Sequence, residues 1–178
     1  MVFDNMRFQI ASILFLSIMC ITYVRYTKLP IMSTKCFSMM LVSTLICEIM
    51  DLTTVFTISH MDSLPSWVNL IAHQIFIGML DVSIYFLFLY LFILGKHQKR
   101  PSGKQYFLIS IPILVAIAMV MMGSINFVCN ENGVYSYGSM PTTVYIVAAV
   151  YLSGMLIMTL FPGHFSFSRQ SKVYIWIA

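Results

Sequence analysis

The stretch Gly95-Lys96-His97-Gln98-Lys99-Arg100-Pro101-Ser102-Gly103-Lys104-Gln105 is the one sustained polar run in a very apolar chain. It carries four cations and no acid. One long apolar segment ends just before it, at Leu94, and another starts just after it, at Tyr106. Lysine and arginine gather in the short cytoplasmic loops of membrane proteins, so this loop between two spanning helices is expected inside. Orientation of every other segment follows from that placement.

Composition agrees with a membrane chain. Of 178 residues, 60% are hydrophobic and 9% charged, and the mean hydropathy is +0.88. A soluble domain carries about 25% charged residues. The net charge of +4 does not point to nucleic acid, because the cations lie in short loops beside apolar segments. Cys20, Cys36, Cys47 and Cys129 include only one residue in an expected external loop, so no intramolecular disulfide is expected. No Cys-x-x-Cys occurs, which argues against zinc or haem attachment, and no cofactor is expected.

Working outward in both directions, the apolar runs predict helices over about 8–24, 36–58, 67–94, 106–125 and 142–161. The first is too long for a signal peptide core, and Tyr23-Val24-Arg25-Tyr26 offers no small-residue cleavage site. The third has 28 residues, roughly 42 Å at 1.5 Å per residue, against a hydrocarbon core of about 30 Å. It must tilt or project. Trp67 lies at its outer end as an interfacial anchor. Pro112 falls in the second turn of the fourth segment, where a mild kink is expected. Between the last two helices, Asn132-Gly133 is a turn signal flanked by residues able to pair as a small hairpin. A polar loop over 162–172 and an apolar run over 173–178 follow, read as the start of a sixth helix. The inner loops collect Arg25, Lys28, Lys35, Lys96, Lys99, Arg100, Lys104, Arg169 and Lys172, against Arg7 alone outside. The N-terminus is therefore expected outside a bacterial cytoplasmic membrane.

The fold class expected is all-α: a polytopic transmembrane helical bundle with five complete helices and the start of a sixth, residues 1–178 forming one membrane domain. Ionisable groups inside a membrane are costly and belong in the bundle interior. Glu48 and Asp51 are three apart and share a helix face. His73 and Asp81 lie in the next helix, with Asn69 and Gln74 near His73. A short turn joins the two helices, so Asp51 and His73 reach similar depth, with Glu48 and Asp81 deeper. The four residues form a candidate intramembrane polar or ligand site between these helices, in which Asp51 and His73 share a proton or hydrogen bond. No metal is expected, since no tight His/Asp pair recurs on one helix. His60, His97 and His164 read as solvated. Tyr145, Tyr151, Trp67 and Trp176 read as packing or interface aromatics. Walker-type phosphate loops, His-Glu-x-x-His and Gly-x-Ser-x-Gly are absent, so no catalytic role is expected of this chain.

Four pieces carry a family resemblance: Thr34-Lys35-Cys36-Phe37 leading to Asp51-Leu52; Ser63-Leu64-Pro65-Ser66-Trp67; Asn132-Gly133-Val134-Tyr135-Ser136-Tyr137-Gly138; and Tyr145 with Tyr151-Leu152. Their arrangement resembles the N-terminal multi-helix sensor region of clostridial-type GGDEF proteins, which are diguanylate cyclases. A similar region precedes some histidine kinases. The resemblance implies signal input to a cytoplasmic output domain in a longer parent chain. The chain has no Gly-Gly-Asp-Glu-Phe string, so cyclase activity carries over to none of its residues. Expected partners are the lipid bilayer, a second copy through helix contacts, and that output domain. The alternatives are a small multi-pass transporter, or a fragment of one, and a non-catalytic membrane assembly partner.

Overall fold

A computed structural model describes residues 6–25, 31–61, 63–130 and 133–160. The expected loop over 162–172, the apolar run over 173–178, His164, Trp176 and the turn residue Asn132 lie outside the described residues. Five helices and one hairpin follow in order: α1 (Arg7–Arg25), α2 (Met32–Ser59), α3 (Ser66–Gly95), α4 (Gly103–Met122), β1 (Asn126–Asn130), β2 (Gly133–Tyr137) and α5 (Ser139–Leu160). All five helices are long and apolar enough to cross a membrane. The molecule is an all-α helical bundle of the multi-pass membrane type.

Local chemistry sets the helix limits. α4 starts at Gly103, earlier than the apolar run from Tyr106, because Ser102 and Gln105 form a capping box. Ser102 Oγ accepts from Gln105 N, and Ser102 N donates to Gln105 Oε1 at 3.1 Å. Lys104 thus becomes a first-turn residue, and Pro112 falls in the third turn rather than the second. α2 likewise starts at Met32, four residues before the expected 36, taking Lys35 into the helix. Hydrophobicity marks where a helix meets lipid, and hydrogen bonding marks where it begins. At the C-terminal end of α3, Gln98 N donates to Ile93 O at 3.0 Å and His97 N to Leu94 O at 3.1 Å. His97 has a left-handed φ of 52°. That pair of bonds closes the helix and turns the chain into the basic loop.

α3 is the hub, packed against α2, α4 and α5, while α1 leans on α2. Phe88, Phe92, Ala116, Val147, Tyr151 and Met155 fill the space between α3, α4 and α5. Cys36, Leu89 and Ile93 join α2 to the inner half of α3. α5 approaches α3 closely at Gly154, where a Cβ atom would lie 2.7 Å from Phe88 Cε2. Tyr145, read with Tyr151 as a packing aromatic, is 76% exposed, whereas Tyr151 is buried.

One end of the bundle is closed by the hairpin, antiparallel with Asn126 opposite Tyr137 and Asn130 opposite Gly133. Its two feet are clasped together. Ser124 N donates to Ser139 Oγ at 3.0 Å, and Met140 N donates to Ser124 O at 3.3 Å. Gly138, at φ +135°, lets the strands meet there: a Cβ would come within 2.5 Å of Ser124 O. The hairpin and the α2–α3 turn lie at one end of the bundle, where they line a common cavity. The start of α2 and the loop after α3 meet at the opposite end.

Candidate functional site

The residues singled out from sequence separate into two groups. Glu48, Asp51 and His73 belong to the outer group. At 1.5 Å per residue, Asp51 lies roughly 12 Å from the C-terminal end of α2, and His73 roughly 10 Å from the start of α3. His73 is buried, and Asp51 is within electrostatic reach of it. The expected direct bond between them is not formed. His73 Nδ1 instead faces Asn69 O at 2.9 Å. A carbonyl only accepts, so Nδ1 carries the hydrogen and Nε2 presents the lone pair or second proton site. The imidazole edge packs on the Phe127 ring of the hairpin, 5.1 Å between centroids at 66°.

Polar groups of α1 face these acids. Ser12 Oγ donates to Glu48 Oε2, and the Gln9 side chain lies near the Asp51 carboxyl. Gln9 and Ser12 are three apart on α1, matching the spacing of Glu48 and Asp51 on α2. A composition-based reading of α1 as a plain anchor misses them. The signal was present as two polar residues at helical spacing inside an apolar run.

Above His73 the polar chain continues to Asn69 and Thr57, which are 5% and 3% exposed. Thr57 Oγ1 donates to Asn69 Oδ1 at 2.9 Å. Both residues line a cavity of about 420 Å³ at the hairpin end. Trp67, Leu70, Ile125 and Phe127 form apolar walls around them. A pocket of that size with a few polar groups on an apolar lining suits a small molecule.

Asp81 does not belong to this chain. It is fully buried and faces α5, where Thr143 Oγ1 lies 3.3 Å from its Oδ2. The same hydroxyl donates to Met140 O at 2.7 Å, and Asp81 Oδ1 has no partner. Expected alongside Glu48 in a spine between α2 and α3, Asp81 is instead the centre of a separate α3–α5 contact. Thr143 also lines an apolar groove of about 240 Å³ between α4 and α5, beside Pro112, Ala116 and Val147. Two turns further in, Tyr151 reaches α4: its hydroxyl donates to Ile109 O at 2.8 Å and lies against the Ile113 backbone. Pro112 has no N–H to give Leu108 O, so its ring opens the ladder there, and Tyr151 occupies the neighbouring rung.

Three or more His, Cys, Asp and Glu side chains placed to hold one metal ion do not occur among the described residues. Comparison with known proteins matches the chain to no family model, no curated protein and no solved structure. The functional reading therefore rests on the residues themselves.

Proposed function

We propose that this chain is a membrane-embedded signal-input domain of a bacterial cytoplasmic membrane, with its N-terminus and hairpin outside. The observation that carries the reading is a row of polar groups that starts at the cavity, is hydrogen-bonded from Asn69 to His73, and continues by electrostatic coupling alone to Asp51 and Glu48. Intramembrane ionisable groups are costly and mark functional sites. Here they connect an outward-facing pocket to three helices at once. Occupancy of the pocket biases the packing of α2 and α3, and α3 ends in the basic loop at the opposite face. The resemblance to sensor regions that precede diguanylate cyclases supplies the class of output: a cytoplasmic domain in a longer parent protein that sets cyclic-di-GMP levels.

A chimera tests this. Residues 1–178 are fused to a diguanylate cyclase domain and expressed in cells deleted for their own cyclases, with a cyclic-di-GMP reporter. Asp51→Leu and His73→Leu chimeras at parental membrane abundance are expected to show output locked at one level, different from the parent. Output identical across the parent and both variants under all growth conditions would refute the reading. The unfused chain is expected to leave the reporter at baseline.

A further inference from the structure

The outer cavity also specifies what it takes. Asn69 is 5% exposed, and its Oδ1 is occupied by the Thr57 hydroxyl at 2.9 Å. Its Nδ2 makes no hydrogen bond to the protein, yet it is not among the buried unsatisfied atoms, and Asn69 lines the cavity. The amide donors therefore open onto the cavity. Thr57, itself nearly buried, faces Oδ1 at 2.9 Å and the Thr54 carbonyl at 3.0 Å, so its one hydrogen is shared between two acceptors and Oδ1 stays on the protein side. Ser66 adds one hydroxyl, the other walls are apolar or aromatic, and among the described residues no lysine, arginine, aspartate or glutamate lines the space.

From this we infer that the cavity between the α2–α3 turn and the hairpin binds a small neutral amphipathic molecule, whose carbonyl or ether oxygen accepts from Asn69 Nδ2 and whose apolar body lies against Trp67, Leu70 and Phe127. Among the described lining residues, a carboxylate or phosphate ligand finds no cation and a cation finds no carboxylate. An uncharged oxygen acceptor satisfies the amide without leaving a buried charge unpaired. A volume of about 420 Å³ accommodates such a ligand within the range of small-molecule sites. Phe127 touches both the cavity and the His73 ring, so a ligand beneath the hairpin presses on the group coupled to Asp51. This inference rests on the sensor reading for its consequence, but not for the binding itself.

The test uses the full chain in nanodiscs, carrying Trp176→Phe so that Trp67 alone reports. Cyclohexanone, cyclohexanol and cyclohexane are titrated as probes. Saturable change in Trp67 emission is expected with cyclohexanone and absent with cyclohexane. Asn69→Leu is expected to weaken cyclohexanone binding about tenfold, the worth of one strong hydrogen bond. Should Asn69→Leu fail to fold, Ile125→Phe, which fills the cavity from the wall opposite the amide, is expected to abolish saturation. Equal, non-saturating responses to ketone and alkane, or unchanged binding in Ile125→Phe, would overturn the proposal. So would saturation by cyclohexanol with none by cyclohexanone, since that places the amide oxygen in the cavity. Saturable ketone binding with chimera output unaffected by Asp51→Leu would refute the sensor reading alone. Output altered by Asp51→Leu, with no saturable binding, would refute this ligand class alone.

Discussion

Replacing Tyr151 by phenylalanine isolates one hydroxyl group at the point where Pro112 interrupts α4. The ring stays packed against Phe88, 5.0 Å away by centroids, and Tyr85, 6.1 Å away. What is lost is the 2.8 Å bond to Ile109 O. A neutral hydrogen bond is worth about 0.5–1.5 kcal/mol net, and interhelical bonds in a membrane protein average about 0.6 kcal/mol. Here the acceptor lies beside a rung that proline has already removed, so the backbone is poorly placed to compensate. A loss of about 1 kcal/mol is expected, roughly fivefold in the folding constant. Pro112→Ala supplies the control. Alanine restores the missing N–H, closes the ladder on Leu108 O, and leaves less room for the hydroxyl at Ile109. In that background Tyr151→Phe should cost about 0.3 kcal/mol or less, a coupling of at least about 0.5 kcal/mol between the two sites. The assay is reversible unfolding in mixed micelles with increasing dodecyl sulfate, followed by far-ultraviolet circular dichroism on all four members of the cycle. Equal losses in the two backgrounds would refute the idea that Tyr151 repairs the proline break. A Tyr151→Phe chain as stable as its parent would refute any structural value of the bond.

Other expectations follow from the same geometry. Thr143→Val removes the one hydroxyl facing Asp81 and is expected to destabilise the bundle by about 1–3 kcal/mol; in the same unfolding assay, an unchanged midpoint would exclude Thr143 as the support of that carboxyl. Gly154→Ala gains about 1 kcal/mol of helix propensity but forces its Cβ against Phe88, at a cost of about 1–3 kcal/mol. It should therefore be neutral or destabilising alone and stabilising in a Phe88→Leu background, and the opposite order would discount the contact. In a chain without Cys20, Cys36, Cys47 and Cys129, an impermeant thiol reagent on intact cells is expected to label Tyr137→Cys and not Lys99→Cys; the reverse pattern would invert the topology.

Much of the architecture was legible because each helix is a long apolar run punctuated by charge or turn residues. The hairpin was legible too, since Asn132-Gly133 is a strong local signal and the flanking residues pair as expected. Helix starts were less so. Ser102 and Gln105 bring α4 forward by three residues through hydrogen bonds that hydropathy does not register. The candidate site was legible as a set of costly residues but not as an arrangement. Helical spacing places Glu48 and Asp51 on one face, yet it does not say which neighbour that face meets. Only packing reveals that α1 brings Gln9 and Ser12 to them, and that Asp81 faces Thr143, sixty-two positions away in the chain. A polar residue in an apolar helix announces a partner without naming it.

The length of α3 has a mechanical meaning. Its 30 residues make a rod of roughly 45 Å, half as long again as the ~30 Å slab it crosses. One tip carries Trp67 and Asn69, and the other ends at Gly95 beside the basic loop. A rod pivoting at mid-membrane trades angle for displacement equally at both tips. A tilt of about 5° moves each by about 2 Å in opposite directions, given that length. A change of that size is comparable to the shift of one packed helix against another in known switches. On the proposed signal-input reading, the cavity at the hairpin end and the basic loop form the two arms of a balance whose midpoint falls near Asp81. In that reading, the stiffness of the midpoint sets how faithfully motion at one tip is reproduced at the other.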